Sequence, residues 1–152
     1  MFFPPTWFHK NSDIGVLLLR LFTGIRLLYG VLDNVVSWSH MLKFRDFLQQ
    51  FQFPFPLLSA ILSVYCQLLA GILFIVGFKI RIAAILMIAN FLIAVRVVHW
   101  GQPLEAMTPP LFILFVSILF LFQGAGRYSV EQVMNNRKTA GSPGSPGVAR
   151  PG

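Results

Sequence analysis

Four long apolar runs fill residues 14–126, divided by short polar or glycine- and proline-bearing segments. Each run is close to the roughly 20 residues a helix needs to cross a hydrocarbon core, where only helices and closed barrels satisfy their own backbone. The first helix is expected over 14–37, with Asn11, Ser12 and Asp13 as N-cap candidates that accept from the free first-turn amides. The second is expected over 57–76, behind Phe53-Pro54-Phe55-Pro56, since proline suits a helix start. A tight GFKIR connection at 77–81 leads into a third span over 82–100. The fourth follows Pro109-Pro110, covers 109–124 and stops at Gly124-Ala125-Gly126. Its shortness implies either a start one turn earlier, near Glu105, or a locally thin bilayer. The expected fold is an all-α membrane protein, an antiparallel bundle of four transmembrane helices within residues 1–134. Residues 135–152 contain GSPGSPG and lack apolar periodicity, so a disordered tail is expected there.

Composition agrees: 56% of the 152 residues are hydrophobic and 11% charged, against roughly 45–50% and about 25% in soluble domains. The formal charge of +7 does not indicate nucleic acid, because the basic residues sit at helix ends and in the tail and form no soluble basic face. Four crossings put both termini and the 77–81 turn on one side. That side collects Lys10, Lys79, Arg81, Arg127, Arg137, Lys138 and Arg150, against Lys43, Arg45 and Arg96 opposite. The positive-inside rule then makes both termini cytoplasmic. The lipid bilayer is the first partner, and the expected location is the plasma membrane, as in a bacterial inner membrane. The N-terminus shows no signal-peptide pattern, and none is expected to be cleaved. Cys66, alone in the chain, excludes an internal disulfide and reads as a small buried thiol.

Residues three and four apart share a helix face. Thr23, Arg26, Gly30, Asp33 and Ser37 form such a stripe on the first helix. Ser59, Ser63, Gln67 and Gly71 form one on the second, and Ala83, Asn90 and Ala94 one on the third. Small residues let membrane helices approach and amides bond between them, so these stripes are expected to face inward. Counting from the helix ends puts Arg26, Gln67 and Asn90 near mid-membrane. An intramembrane cluster of Arg26, Asp33, Gln67 and Asn90 follows, with Asp33 in an outer ion pair near the depth of Arg96. The ordinary reading of such groups is packing register; it carries less weight for Arg26, because a mid-membrane arginine is costly. Arg20 is expected to snorkel toward the cytoplasmic surface.

LLLRLFTGIRLLYG, FRDFLQQFQFPFP, QLLAGILFIVGFKIRIAAILMIANFLIA and GAGRYSVEQ follow one another across about residues 14–134. In that order and spacing the chain resembles the DoxX family of small four-helix membrane proteins. Two positions depart from the pattern: Gln67 stands where a glutamate is common, and Asp33-Asn34 where a lysine is common. Asp33 is therefore a candidate for the missing carboxylate. Members resemble the small subunit of a thiosulfate:quinone oxidoreductase, which implies a membrane redox association and no particular reaction.

The three histidines, His9, His40 and His99, lie outside or at the ends of the spans. An intramembrane bis-histidine haem is therefore not expected, and no metal-binding spacing is present. His40, Arg96, His99 and Trp100 could form a small outer-face site, though interface residues are the simpler reading. No nucleophile–base pair stands out, so the chain alone is not expected to be an enzyme. The favoured role is a non-catalytic subunit or partner of a membrane redox complex, with quinone the one cofactor left open. The partner would be another membrane or membrane-associated protein; homo-oligomerisation stays open. The alternatives are a small transporter or proton-conducting protein, and a purely structural subunit.

Overall fold

A computed structural model of the protein describes residues 12–98 and 100–140. Among these residues the chain forms α1 (Ser12–Val36), α2 (Trp38–Gln50), α3 (Pro56–Val76), α4 (Ile80–Ile93), α5 (Leu104–Gln123) and α6 (Val130–Ala140). A π-helical turn, Ala94–Val98, extends α4. Four of these segments are long and apolar enough to cross a membrane: α1, α3, α4 with its π turn, and α5. The all-α, four-span architecture is as the apolar runs require. We call the end where α1 begins and α5 finishes the near end, and the opposite end the far end.

Two boundaries differ from expectation, and the fourth span takes the earlier of its two expected starts, near Glu105. The third span ends at Val98. The fourth begins at Leu104 and holds Pro109 and Pro110 inside it. Those prolines lie past the first turn and offer no N–H to the carbonyls four residues earlier, those of Glu105 and Ala106, a loss that membrane-spanning helices tolerate where neighbouring groups satisfy the freed carbonyls. With 20 residues, α5 reaches about 30 Å, so no thinned bilayer is required. Helix α6 runs to Ala140, past the expected tail start at Asn135, and residues 141–152 lie outside the described part. Ser129 supports its first turn, its Oγ accepting from the Gln132 N–H at 3.2 Å.

Helix α2 occupies a stretch that reads as a loop. Met41 and Leu48 are buried on one face, with Phe44 beside them, whereas Lys43, Asp46, Gln49 and Gln50 are exposed. Met41 and Leu48 join Val31, Ala60 and Val64 in a cluster that seats α2 against α1 and α3. A second, larger cluster unites the spans through Leu27, Phe74, Met87, Val116 and Phe120. Phe74 and Phe120 meet there at 5.0 Å between centroids.

Helices α1 and α3 cross where Gly24 meets Gly71. A β-carbon on Gly24 would lie 2.8 Å from the Gly71 carbonyl oxygen and 2.6 Å from Ile75 Cγ1. Small residues here allow backbone-to-backbone contact, the usual basis of helix association in lipid.

Arg20 holds the near end together and does not snorkel: it is 2% exposed. Its Nε donates to the Phe74 carbonyl at 2.7 Å, and Nη2 to the Tyr128 carbonyl at 3.1 Å, while Nη1 donates to the Ala125 carbonyl. One guanidinium, with five donors and no acceptor, thereby serves the last turn of α3 and the turn after α5. Asp13 holds that turn from below, accepting from the Arg127 N–H at 3.2 Å. Gly77, at φ +76°, closes α3 in the left-handed region, and a β-carbon there would fall 2.5 Å from Arg20 Nη2.

Candidate functional site: a cavity between the first and last spans

Helices α1 and α5 approach each other less closely than α1 and α3, or α4 and α5. Their seam is bridged by Phe22 and Phe112, ring to ring edge-on, with centroids 6.0 Å apart. Both rings border a cavity of about 620 Å³. From α1 come Arg26, Leu27 and Gly30, from α3 Gln67, and from α4 Phe91 and Ala94. Helix α5 adds Glu105, Thr108, Pro109, Pro110 and Ile113. Phe22 is 59% and Phe112 38% exposed, so the mouth at this seam faces the lipid side of a membrane-inserted bundle.

The local sequence places each polar group. Gly30, one turn beyond Arg26, leaves room for the guanidinium: a β-carbon there would be 3.3 Å from Arg26 Nη1. The Gln67 amide is held by its donation from Nε2 to Ser63 Oγ at 3.1 Å, one turn away on α3. Thr108 spends its hydroxyl proton on the Leu104 carbonyl at 2.8 Å, which leaves its oxygen to the cavity as an acceptor only. Among the described residues, Arg26 and Glu105 are the only charged side chains lining the cavity, and they form no ion pair with each other. Among the described residues, the one ion pair is Arg45–Asp46, on the exposed side of α2.

The expected four-residue cluster is divided. Arg26 and Gln67 share this cavity, whereas Asn90 lines a neighbouring one of about 340 Å³ beneath α2, with Phe44, Phe53, Ser59 and Ser63. Ala94, in the π-helical turn, borders both, and the Gln67–Ser63 bond links their walls. Asp33 lines neither cavity, is exposed and forms no ion pair among the described residues. The reason is angular: the buried stripe of α1 is Val16, Arg20, Thr23, Gly24, Leu27 and Val31, which turns Asp33 outward and leaves Arg26 at the cavity mouth.

The outer-face residues are only partly assembled. The Arg96 guanidinium stacks over the Trp100 ring, 4.7 Å from its centroid. His40 is half-buried, with Nδ1 shielded and without a hydrogen-bond partner among the described residues. His99 lies outside the described residues. No group of three His, Cys, Asp or Glu able to hold a metal exists among the described residues.

Two contributors escape a reading of apolar runs: Arg20, whose carbonyl partners have no side-chain signature, and Glu105. A signal for Glu105 existed, since it is the only acidic residue between Asp46 and Glu131.

The DoxX family profile matches residues 15–100, more than half of the chain. No curated protein and no solved structure matches it.

Proposed function

This chain belongs to the DoxX family, and on that premise we propose that it is a non-catalytic membrane subunit that holds the headgroup of a lipid-soluble quinone for a membrane redox complex. The observation that carries this reading is the cavity at the α1–α5 seam. It is mostly apolar, bordered by the rings of Phe22, Phe91 and Phe112, and carries a few polar groups in fixed places. That combination suits a flat, weakly polar ligand. A quinone ring presents carbonyl oxygens that only accept; Arg26 only donates, and the Gln67 amide also donates. A mouth on the lipid side leaves the long apolar tail in the bilayer, where it costs nothing to desolvate. With the termini cytoplasmic, as the charge distribution implies, the site opens in the outer half of the membrane and its redox partner would meet it from there.

Conduction of protons or solutes fits less well. The near half of the bundle is filled by Phe74, Met87, Val116 and Phe120, and closed by Arg20.

The test is purification of the tagged chain from its native membrane in mild detergent, followed by solvent extraction of quinone and identification of bound proteins. Near-stoichiometric quinone together with an oxidoreductase is the expected result. A chain recovered alone and empty, with quinone abundant in the same membrane, overturns the proposal.

A further inference from the structure

The cavity is polarised in its hydrogen bonding, and this goes beyond its shape. Arg26 lies ten residues from the far end of α1, about 15 Å deep. Around it the wall offers the donor-only guanidinium and the Gln67 amide, which brings one N–H besides the one given to Ser63 and an acceptor oxygen. The wall at the far end of α5 is built of acceptors. Glu105 is a carboxylate, acceptor-only when ionised, and Thr108 has committed its proton to the Leu104 carbonyl. On the same turns, Pro109 and Pro110 bring no N–H to the carbonyls of Glu105 and Ala106.

Of the five acidic residues, the other four are placed elsewhere. Asp13 accepts from Arg127, Asp46 pairs with Arg45, Glu131 lies in the first turn of α6, and Asp33 is exposed outside both cavities. A carboxylate in the first turn of α5 favours the helix dipole, which accounts for an acid near this position but not for the acceptor wall around it.

We propose that Glu105 makes this cavity selective for the reduced form of its ligand, a hydroquinone, over the oxidised quinone. This rests on the quinone reading above. A hydroquinone can accept at one oxygen from Arg26 and donate from the opposite hydroxyl to Glu105. A quinone has acceptors at both ends, so its second carbonyl would face a carboxylate with no proton between them. The chain would then hold quinol, keeping it at the mouth for exchange with the bilayer or with the partner enzyme.

The experiment is isothermal titration of the purified full chain in detergent with decylubiquinone and with a short-tailed menaquinone, each oxidised and reduced. Wild type should bind the reduced form of at least one pair about tenfold more tightly, the worth of a hydrogen bond to a charged group. Glu105→Gln should bring that ratio close to one, chiefly by weakening the reduced form, and Glu105→Asp should retain part of it. A role confined to the helix dipole would lower stability without moving the ratio. An unchanged ratio in a folded Glu105→Gln protein, or a wild-type preference for the oxidised form, overturns the assignment and leaves the quinone reading standing. Failure of wild type to bind any of the four ligands removes both.

Discussion

Arg20 Nε lies 2.7 Å from the carbonyl oxygen of Phe74, so a charged side chain of α1 completes the backbone of α3. The same guanidinium serves Ala125 and Tyr128 beyond α5. Removing it leaves the buried Phe74 carbonyl and the partly buried Ala125 and Tyr128 carbonyls without this donor and opens space beside Gly77. Arg20→Met should lower stability by about 2–4 kcal/mol, since hydrogen bonds to charged groups are each worth about 1.5–3 kcal/mol and do not add fully. Arg20→Lys should recover less than half, because a compact ammonium cannot reach carbonyls of two separate segments at once. Thermal unfolding in detergent decides this; a melting temperature indifferent to Arg20→Met would sink the clamp.

Gly77 should behave as the partner of that clamp. Gly77→Ala meets both a left-handed backbone and Arg20 Nη2, so about 1–3 kcal/mol of destabilisation is expected. Because both changes disturb one arrangement, Gly77→Ala combined with Arg20→Met should cost clearly less than the sum of the two. Strict additivity in a double-mutant cycle would mean that they do not share a cause.

The glycines of α1 make a graded comparison. Gly24→Ala forces a methyl against Ile75 and the Gly71 carbonyl, which should cost about 1–3 kcal/mol as overpacking. Gly30→Ala meets only the end of the Arg26 side chain, and its effect on melting should stay within about 0.5 kcal/mol. Equal losses at the two positions would contradict the helix contact described.

Arg26 stands at the mouth of the cavity and is exposed, so its removal should spare the fold. Arg26→Leu is expected to melt like wild type while its co-purified quinone falls by about tenfold or more. Retained quinone in this variant would assign the binding to other residues.

Met41 and Leu48 are the buried face of α2, 2% and 5% exposed. Met41→Lys should release this helix without unfolding the spans, because a charge is costly in an apolar contact. Hydrogen–deuterium exchange should then rise across residues 38–50 alone; protection equal to wild type there would show that α2 is held by something else.

The four spans were legible because lipid imposes one simple rule on long apolar runs. Helix α2 was not, although Met41, Phe44 and Leu48 repeat at helical spacing, because a 13-residue amphipathic segment has neither the length nor the apolarity of a span. The inward stripe of α1 was misplaced for a physical reason: polarity is a poor guide to which face is buried when the alternative solvent is lipid. Thr23 is buried, whereas Arg26 and Asp33, on what looked like the same polar face, are exposed, and Arg20, expected at the surface, is buried. Gln67 and Arg26, expected in one cluster, line the same cavity. Glu105 was considered only as a possible start of the fourth helix, and its side chain was not read as part of a site.

The Arg20 clamp also sets an order of assembly. Its partners at Ala125 and Tyr128 lie 105 and 108 positions later in the chain. When α1 enters the bilayer during synthesis, the carbonyls that will satisfy its arginine have not yet been made. The helix must insert with that charge unmatched, a cost bounded by the roughly 2.5–3.5 kcal/mol of an arginine at a helix centre, which its leucine-rich flanks have to offset. Until the turn after α5 emerges, the first span of this protein is provisional, and the last span to be synthesised completes it.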